Sequence, residues 1–275
     1  MSNKVYEIVT EKILASLENG CVPWHKPWSG GGLPMNLKSK KAYRGVNVFM
    51  LSLQGRQSRY WLSYKQATEM GGQVRKGEKS TLVVFWKRLK VDDKATGEKK
   101  IIPMLRYYSI FNLDQIDGIE DPDKLTLGEH KPIAEAETIV ANMPNRPEIQ
   151  HKEQRAFYAH DRDLVNMPLP ESFDGAEEYY STLFHELGHS TRHKSRLDRE
   201  KNNYAQEELV AEMTSAFLCG VTGIESKTLD NSAAYINTWR KRISDDPRLV
   251  VTAGAQAQKA SDYIQGITYS DKSEE

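Results

Sequence analysis

Two histidines four residues apart, with a glutamate directly after the first, occur in the run Phe184-His185-Glu186-Leu187-Gly188-His189. On a helix, residues four apart share a face, so His185 and His189 can grip one metal ion. Glu186 then flanks the metal and can take a proton from its bound water, the arrangement of metal-assisted hydrolysis. A catalytic zinc keeps three protein ligands and one open position, so a third ligand is required.

The metzincin pattern would place a histidine ten residues after the first, but that position is Ser195. The other large option takes a glutamate from a following helix, and the segment 204–213 supplies Glu207, Glu208 and Glu212. Glu208 and Glu212 are four apart and share a face. Glu208 is the expected third ligand. Glu212, a turn away, is expected to accept a hydrogen bond from a ligand histidine and fix its tautomer. Glu207 points elsewhere on the helix and is the weaker candidate. His193, eight residues after His185, is a candidate substrate contact. Tyr158, Tyr204 and Arg192 are candidate oxyanion donors. The expected metal is Zn2+, with another divalent ion such as Mn2+ as an alternative. Two imidazoles with one carboxylate argue against a two-metal nuclease, which favours several carboxylates.

The rest of the chain has a different chemistry. The whole carries 38 Lys+Arg and 38 Asp+Glu. The balance hides a split: residues 1–106 hold 20 basic and 8 acidic side chains, and residues 107–275 hold 18 and 30. A basic first part points to a polyanionic partner. It also holds Trp24, Trp28, Trp61 and Trp86, and Lys26 lies between the first two. Aromatic rings for bases, interleaved with cations for phosphates, are what single-stranded nucleic acid binding needs. Trp61 and Trp86 sit in predicted strands and read as core. Trp24 and Trp28, in a Pro/Gly-rich loop, are the candidate stacking rings. The turn Arg75-Lys76-Gly77-Glu78-Lys79 is a candidate phosphate contact. No zinc finger, basic zipper or recognition helix is evident.

The elements that must position these residues follow from periodicity. Residues 3–19 read as an amphipathic helix stopped by Gly20. Residues 43–53 read as a helix or a buried strand, and 61–72 as a strand turning into a helix. Residues 80–113 read as a long hairpin. Residues 117–132 are polar, acidic and Pro/Gly-punctuated, the expected linker. Beyond it, 133–143 reads as a helix and 151–168 as short strands, Asp163–Met167 the clearest. Residues 177–192, 204–218, 233–243 and 248–264 read as helices, and 270–275 as a frayed tail. The fold class is α+β in two domains. An α+β domain with a β-hairpin and sheet spans 1–125, and a mainly helical domain with a small sheet spans 126–275. Two cysteines, Cys21 and Cys219, cannot build a disulfide framework. No apolar run reaches the roughly 20 residues of a membrane span. The N-terminus does not read as a signal peptide, and the expected compartment is a reducing cytoplasm.

Read together, these segments resemble a known family along nearly the whole chain. In the first half the resemblance is carried by Leu17-Glu18-Asn19-Gly20 and Pro23-Trp24-His25-Lys26-Pro27-Trp28. Tyr43-Arg44-Gly45-Val46-Asn47, Trp61-Leu62-Ser63-Tyr64-Lys65-Gln66-Ala67 and Val74-Arg75-Lys76-Gly77-Glu78-Lys79 continue it. In the second half it is carried by Asp163-Leu164-Val165-Asn166-Met167-Pro168, Tyr180 through His189, and Glu207 through Glu212. The chain resembles the ArdC-type antirestriction proteins of conjugative plasmids and phages. That implies an N-terminal single-stranded-DNA-binding domain and a C-terminal zincin-like metallopeptidase domain of the HExxH-plus-Glu, gluzincin-like kind. It adds Arg44 and Lys65 to the candidate DNA contacts. It implies a protein that escorts incoming DNA and protects it from host restriction, with an unknown protein substrate and no membrane partner. An alternative reading makes the metal site structural or relic, with protection by occlusion only. Similar N-terminal domains also precede primase modules in plasmid proteins; H-E-x-x-H in the second half here is read as excluding a primase. Ser190 and Arg192 stand where the family pattern has Trp and Gly, a departure that touches substrate contacts rather than ligands.

Overall fold

The first helix shows how the two halves of the chain come together. In the computed structural model, which describes residues 2–24, 32–92, 99–125, 132–199, 202–224 and 233–268, α1 spans Ser2–Glu18. It buries Val5, Val9, Ile13 and Leu17 along one stripe, and Gly20 leaves the helix at φ 73°, a conformation that favours glycine. The ambiguous segment 43–53 is helical: α2 spans Val46–Ser52 and buries Val48, Phe49, Met50 and Leu51. A helix enclosed on every side has no apolar period to display, which is why the sequence left strand open.

Strands β1 (Met35–Asn36), β2 (Tyr60–Leu62), β3 (Gln73–Val74), β4 (Thr81–Asp92), β5 (Lys99–Asn112) and β6 (Ile116–Asp117), with helix α3 (Tyr64–Glu69), complete the first half. A four-stranded sheet runs β1-β2-β5-β4. The expected hairpin is its long arm, in register from Thr81↔Ile110 to Asp92↔Lys99. Ser63 starts α3 with a reciprocal capping box to Gln66, satisfying two helix-end donors at once. The expected linker is ordered at its beginning. Asp117 pairs with Gln73 in a two-stranded sheet, and Asp123 is held by Arg59 at 2.6 Å. Residues 126–131 and the tail 270–275 lie outside the described residues.

The second half contains α4 (Pro132–Asn142), α5 (Ala176–Ser190), α6 (Tyr204–Thr222), α7 (Ala233–Asp245) and α8 (Leu249–Ile264). Its sheet has three short strands, β7 (Glu148–Gln150), β8 (Phe157–Ala159) and β9 (Leu164–Asn166), in the order β7-β9-β8. Together the elements give the two-part α+β architecture that the pattern implied.

The largest apolar cluster draws on both halves. Phe49 stacks on Phe217 at 5.1 Å, and Trp24 meets Trp239 edge-to-face at 5.8 Å. A Cβ at Gly254 would lie 2.9 Å from the Val46 backbone nitrogen, so glycine lets α8 touch the start of α2. Trp24 is fully buried (0% exposed). Its ring faces are covered by the protein and cannot stack on a base, contrary to the expectation for that loop. Trp24→Ala is therefore expected to cost about 3–5 kcal/mol of folding stability, as other large buried aromatic truncations do. Urea unfolding of the full chain checks this; an unchanged midpoint would return Trp24 to the surface.

Candidate functional site

Helix α5 carries His185, Glu186 and His189 on one face, and α6 brings Glu208 to them. The two helices must come unusually close. Gly188, between the histidines, makes this possible: a Cβ there would lie 3.1 Å from the Ala211 Cα. On the other side, the buried Arg199 ties the end of α5 to the first turn of α6. Its guanidinium donates to the Gly188 carbonyl at 3.2 Å and to Glu207 Oε1 at 2.7 Å. Asn202 donates to Glu207 Oε2 at 2.9 Å. Glu207 is thus occupied as a clamp and does not face the histidines as a ligand. Asn203 caps α6 by accepting from the Gln206 amide at 2.9 Å, which fixes the helix start four residues before Glu208.

The resulting donors converge. The two Nε2 atoms are 3.1 Å apart, and Glu208 Oε2 lies 3.8 Å from that of His185 and 3.7 Å from that of His189. The nearest point equidistant from these three atoms lies in their plane, about 2.1 Å from each, so the trio is spread no wider than the roughly 2.0–2.2 Å that zinc keeps to nitrogen and carboxylate oxygen allows. Among the described residues this is the one group of three or more side chains with metal-type donors so close together. The donor set and its spacing fit a divalent cation.

The electrostatics match. Burial pushes His185 down to about 3, the neighbouring His189 adds to this, and Glu208 opposes it; a neutral imidazole is the form that binds metal. Burial lowers His189 too, but the Glu208 and Glu186 carboxylates more than compensate, and its pKa is raised. Burial raises Glu208, yet hydrogen bonding and charge from His189, with His185 and Tyr204, bring it below its ordinary value. Glu186 is buried and pushed up to about 7 by desolvation; His189 and the Tyr158 backbone N–H pull the other way, and Glu208 adds to the rise. These groups line an open cleft of about 380 Å³, with Tyr158, His160, Arg192 and Tyr204 around them.

Other expected residues stand differently. Glu212 does not bond a ligand histidine. Its Oε1 accepts from the Tyr235 hydroxyl at 3.1 Å, because α7 packs over that turn of α6. Its Oε2 is buried with no hydrogen-bond partner among the described residues. Tyr158 lines the cleft, but its hydroxyl donates to Asp163 at 2.7 Å, and Asp163 is gripped by Arg196 through two bonds of 2.7 and 2.8 Å. That proton is not offered to the cleft. Tyr204 is 72% exposed, and the nearby Glu208 charge raises its pKa. His193 pairs through Nδ1 with Ser195 at 2.7 Å and touches His160 edge-on at 5.4 Å, one residue removed from the cleft wall. Arg199 and Tyr235 were not singled out from sequence; neither lies in a motif, and only the helix packing shows their role.

On the basic half, Lys26 and Trp28 lie outside the described residues. Lys65, Lys76 and Lys79 are exposed, and Lys65 approaches Glu69 at 3.7 Å. Arg75 is committed to Asp117 at 3.1 Å and Glu78 at 3.2 Å. Arg44 pairs with Asp262 of α8, so its charge serves the seam between the halves. Trp61 is core, as expected, but Trp86 is 48% exposed, because its strand turns that side chain past the end of the shared core. Phe85 and Tyr108 are also exposed and meet edge-to-face at 5.5 Å.

Comparison with known proteins matches two stretches of the chain to two different families. Residues 3–111 match the family described as the N-terminal domain of anti-restriction factor ArdC, and residues 134–256 match the family described as zincin-like metallopeptidase. The metal-free crystal structure of antirestriction ArdC protein from R388 plasmid shares 39% identity over 96% of this chain and 99% of its own, with a TM-score of 0.80. The Mn(II)-bound structure of that protein covers 95% and 97%, with a TM-score of 0.77. The DNA primase TraC of Escherichia coli is 36% identical over 94% of this chain, which spans only 20% of that relative. A chain named a primase thus aligns with both halves, so H-E-x-x-H here is no argument against one. No helix among the described residues is long and apolar enough to cross a membrane. With both halves matched in order and a relative covered almost end to end, this chain belongs to the ArdC antirestriction family.

Proposed function

We propose that this chain is an antirestriction protein of a mobile element, binding single-stranded DNA with its first half and carrying a zinc-dependent peptidase centre in its second. The observation that carries the catalytic part is the convergence of His185, His189 and Glu208 on one point with Glu186 beside it in an open cleft. His185, His189 and Glu208 hold the metal. When bound, the cation supplies Lewis acidity and brings the pKa of water toward ~7. Glu186 takes the proton from the attacking water and passes it to the leaving amine. The Arg199–Glu207 clamp keeps α6 in reach. The DNA-binding part rests on the basic balance of the first half and on the exposed rings Phe85, Trp86 and Tyr108. The fusion of the two suggests host proteins acting on the entering strand as substrates, and a cytoplasmic site of action.

A ligand that binds only the folded chain raises its melting temperature. Zn2+ at a hundredfold excess over Kd is expected to stabilise the protein by about 2.7 kcal/mol, roughly 5–10 °C for a chain of this size. A chelator reverses the shift, and His189→Ala abolishes it. An equal shift in His189→Ala would place the metal elsewhere.

A further inference from the structure

A chain of part-buried polar contacts runs from the first half of the protein to the metal-site helix. The indole Nε1 of Trp24 donates to the Tyr235 hydroxyl at 3.3 Å, and that hydroxyl donates to Glu212 Oε1 at 3.1 Å. Both Trp24 and Tyr235 rest edge-on against Trp239, at 5.8 and 6.1 Å. Glu212 sits one helical turn beyond Glu208 on the same face of α6, and residues four apart on a helix lie one above the other. We propose that Trp24 and Tyr235 are positioning residues for the metal trio: by holding Glu212, they fix the rotation of α6 that presents Glu208 to His185 and His189. The inference rests on the metal reading above.

The physical case is one of unpaired polar groups. The Glu212 carboxylate is buried, and Oε2 already has no hydrogen-bond partner among the described residues. Removing the Tyr235 hydroxyl would leave Oε1 without this donor as well. Burial already pushes the Glu212 carboxyl up to about 7; left without this donor it is costlier still, and the relief is a shift of Glu212 with its turn of α6. That motion carries the turn holding Glu208. Metal donors tolerate displacements of only a few tenths of an ångström, so groups that orient ligands typically weaken affinity 10- to 100-fold when lost. The Arg199–Glu207 pair steadies the first turn of α6; the Trp24–Tyr235–Glu212 chain steadies the third, so the turn that holds Glu208 is fixed from both sides. Because Trp24 belongs to the first half, the two halves meet within one helical turn of a metal ligand.

The test is the Zn2+ dissociation constant of full-length protein, by competition with a chromogenic chelator, together with the visible absorption of the Co2+-loaded form. Tyr235→Phe keeps the ring and loses only the hydroxyl; about tenfold weaker Zn2+ binding and an altered Co2+ band are expected. Trp24→Phe keeps a ring against Trp239 and is expected to act in the same direction by less. The double variant should be no weaker than Tyr235→Phe alone, since the two act in series. Thr10→Val is the control: Thr10 donates to the Pro247 carbonyl at 2.8 Å across the same seam, away from Glu212, and its loss should leave Zn2+ affinity unchanged. Zn2+ affinity of Tyr235→Phe within twofold of the parent, while His185→Ala loses the metal, would overturn this inference and leave the metal site standing. Equal weakening by Thr10→Val would also overturn it, because general loosening of the seam would then suffice. Unchanged affinity in His185→Ala would overturn the metal reading and this inference together.

Discussion

Glu186→Gln is expected to bind metal as the parent does and to lose peptide hydrolysis by about 10²–10⁴-fold, the usual worth of a positioned general base. Glu186 is adjacent to a ligand but is not one of the three converging donors, so glutamine leaves the metal contacts in place. Its volume and its capacity to accept from the Tyr158 backbone N–H are also kept. What is lost is basicity. Burial holds the Glu186 carboxyl at about 7 in the free protein, against the pull of His189, and a base does most near the pH at which it works. The measurement is cleavage of an unfolded protein substrate by Zn2+-loaded samples of equal metal content. Undiminished cleavage by Glu186→Gln would sink the peptidase reading. The same variant separates the two accounts of protection. If it still shields transferred DNA from restriction in cells, occlusion of the strand is enough. If it binds DNA normally and no longer protects, the hydrolytic centre is what acts.

How much of this was legible beforehand depended on whether the signal was local. His185, Glu186 and His189 are fixed by helical spacing alone. Glu208 was reachable because a second amphipathic segment offered carboxylates at the same period. Gly188 reads as a weak position in a helix; only the 3.1 Å approach to Ala211 shows that its missing side chain is what brings Glu208 near. Arg199 and Tyr235 act across separations of 8 and 23 residues to Glu207 and Glu212, with no periodicity connecting them. Trp24 was misread for a related reason. A Pro/Gly-rich loop suggests exposure on average, but one large ring can fold back onto α7. Trp86 erred the other way: strand alternation says which residues share a face and says nothing about where the covering helix ends.

The exposed aromatic pair gives the second large expectation. Phe85→Ala with Tyr108→Ala is expected to weaken single-stranded DNA binding by about 1–3 kcal/mol per ring, together roughly 30- to 20,000-fold. The two rings sit on one face of the β4–β5 arm, where Val83 pairs with Tyr108 and Phe85 with Arg106. On the same face, two residues along each strand, Val83 and Ile110 are fully buried, so the arm is anchored in the core next to the rings. The Tyr108 ring also meets Phe85 edge-to-face at 5.5 Å, so each ring supports the other before any base arrives. Arg106 beside Phe85 places a cation where a backbone phosphate would pass. Stacking and charge separate by their salt dependence. The double alanine variant should lower affinity without changing the slope of log K against log salt, because no phosphate contact is removed. Lys76→Ala with Lys79→Ala should do the reverse and flatten that slope. Fluorescence anisotropy with an oligothymidine at two salt concentrations reads both. Parent-like affinity in the aromatic double variant, with an intact fold, would move the binding surface off this arm and onto the segment around Lys26 and Trp28.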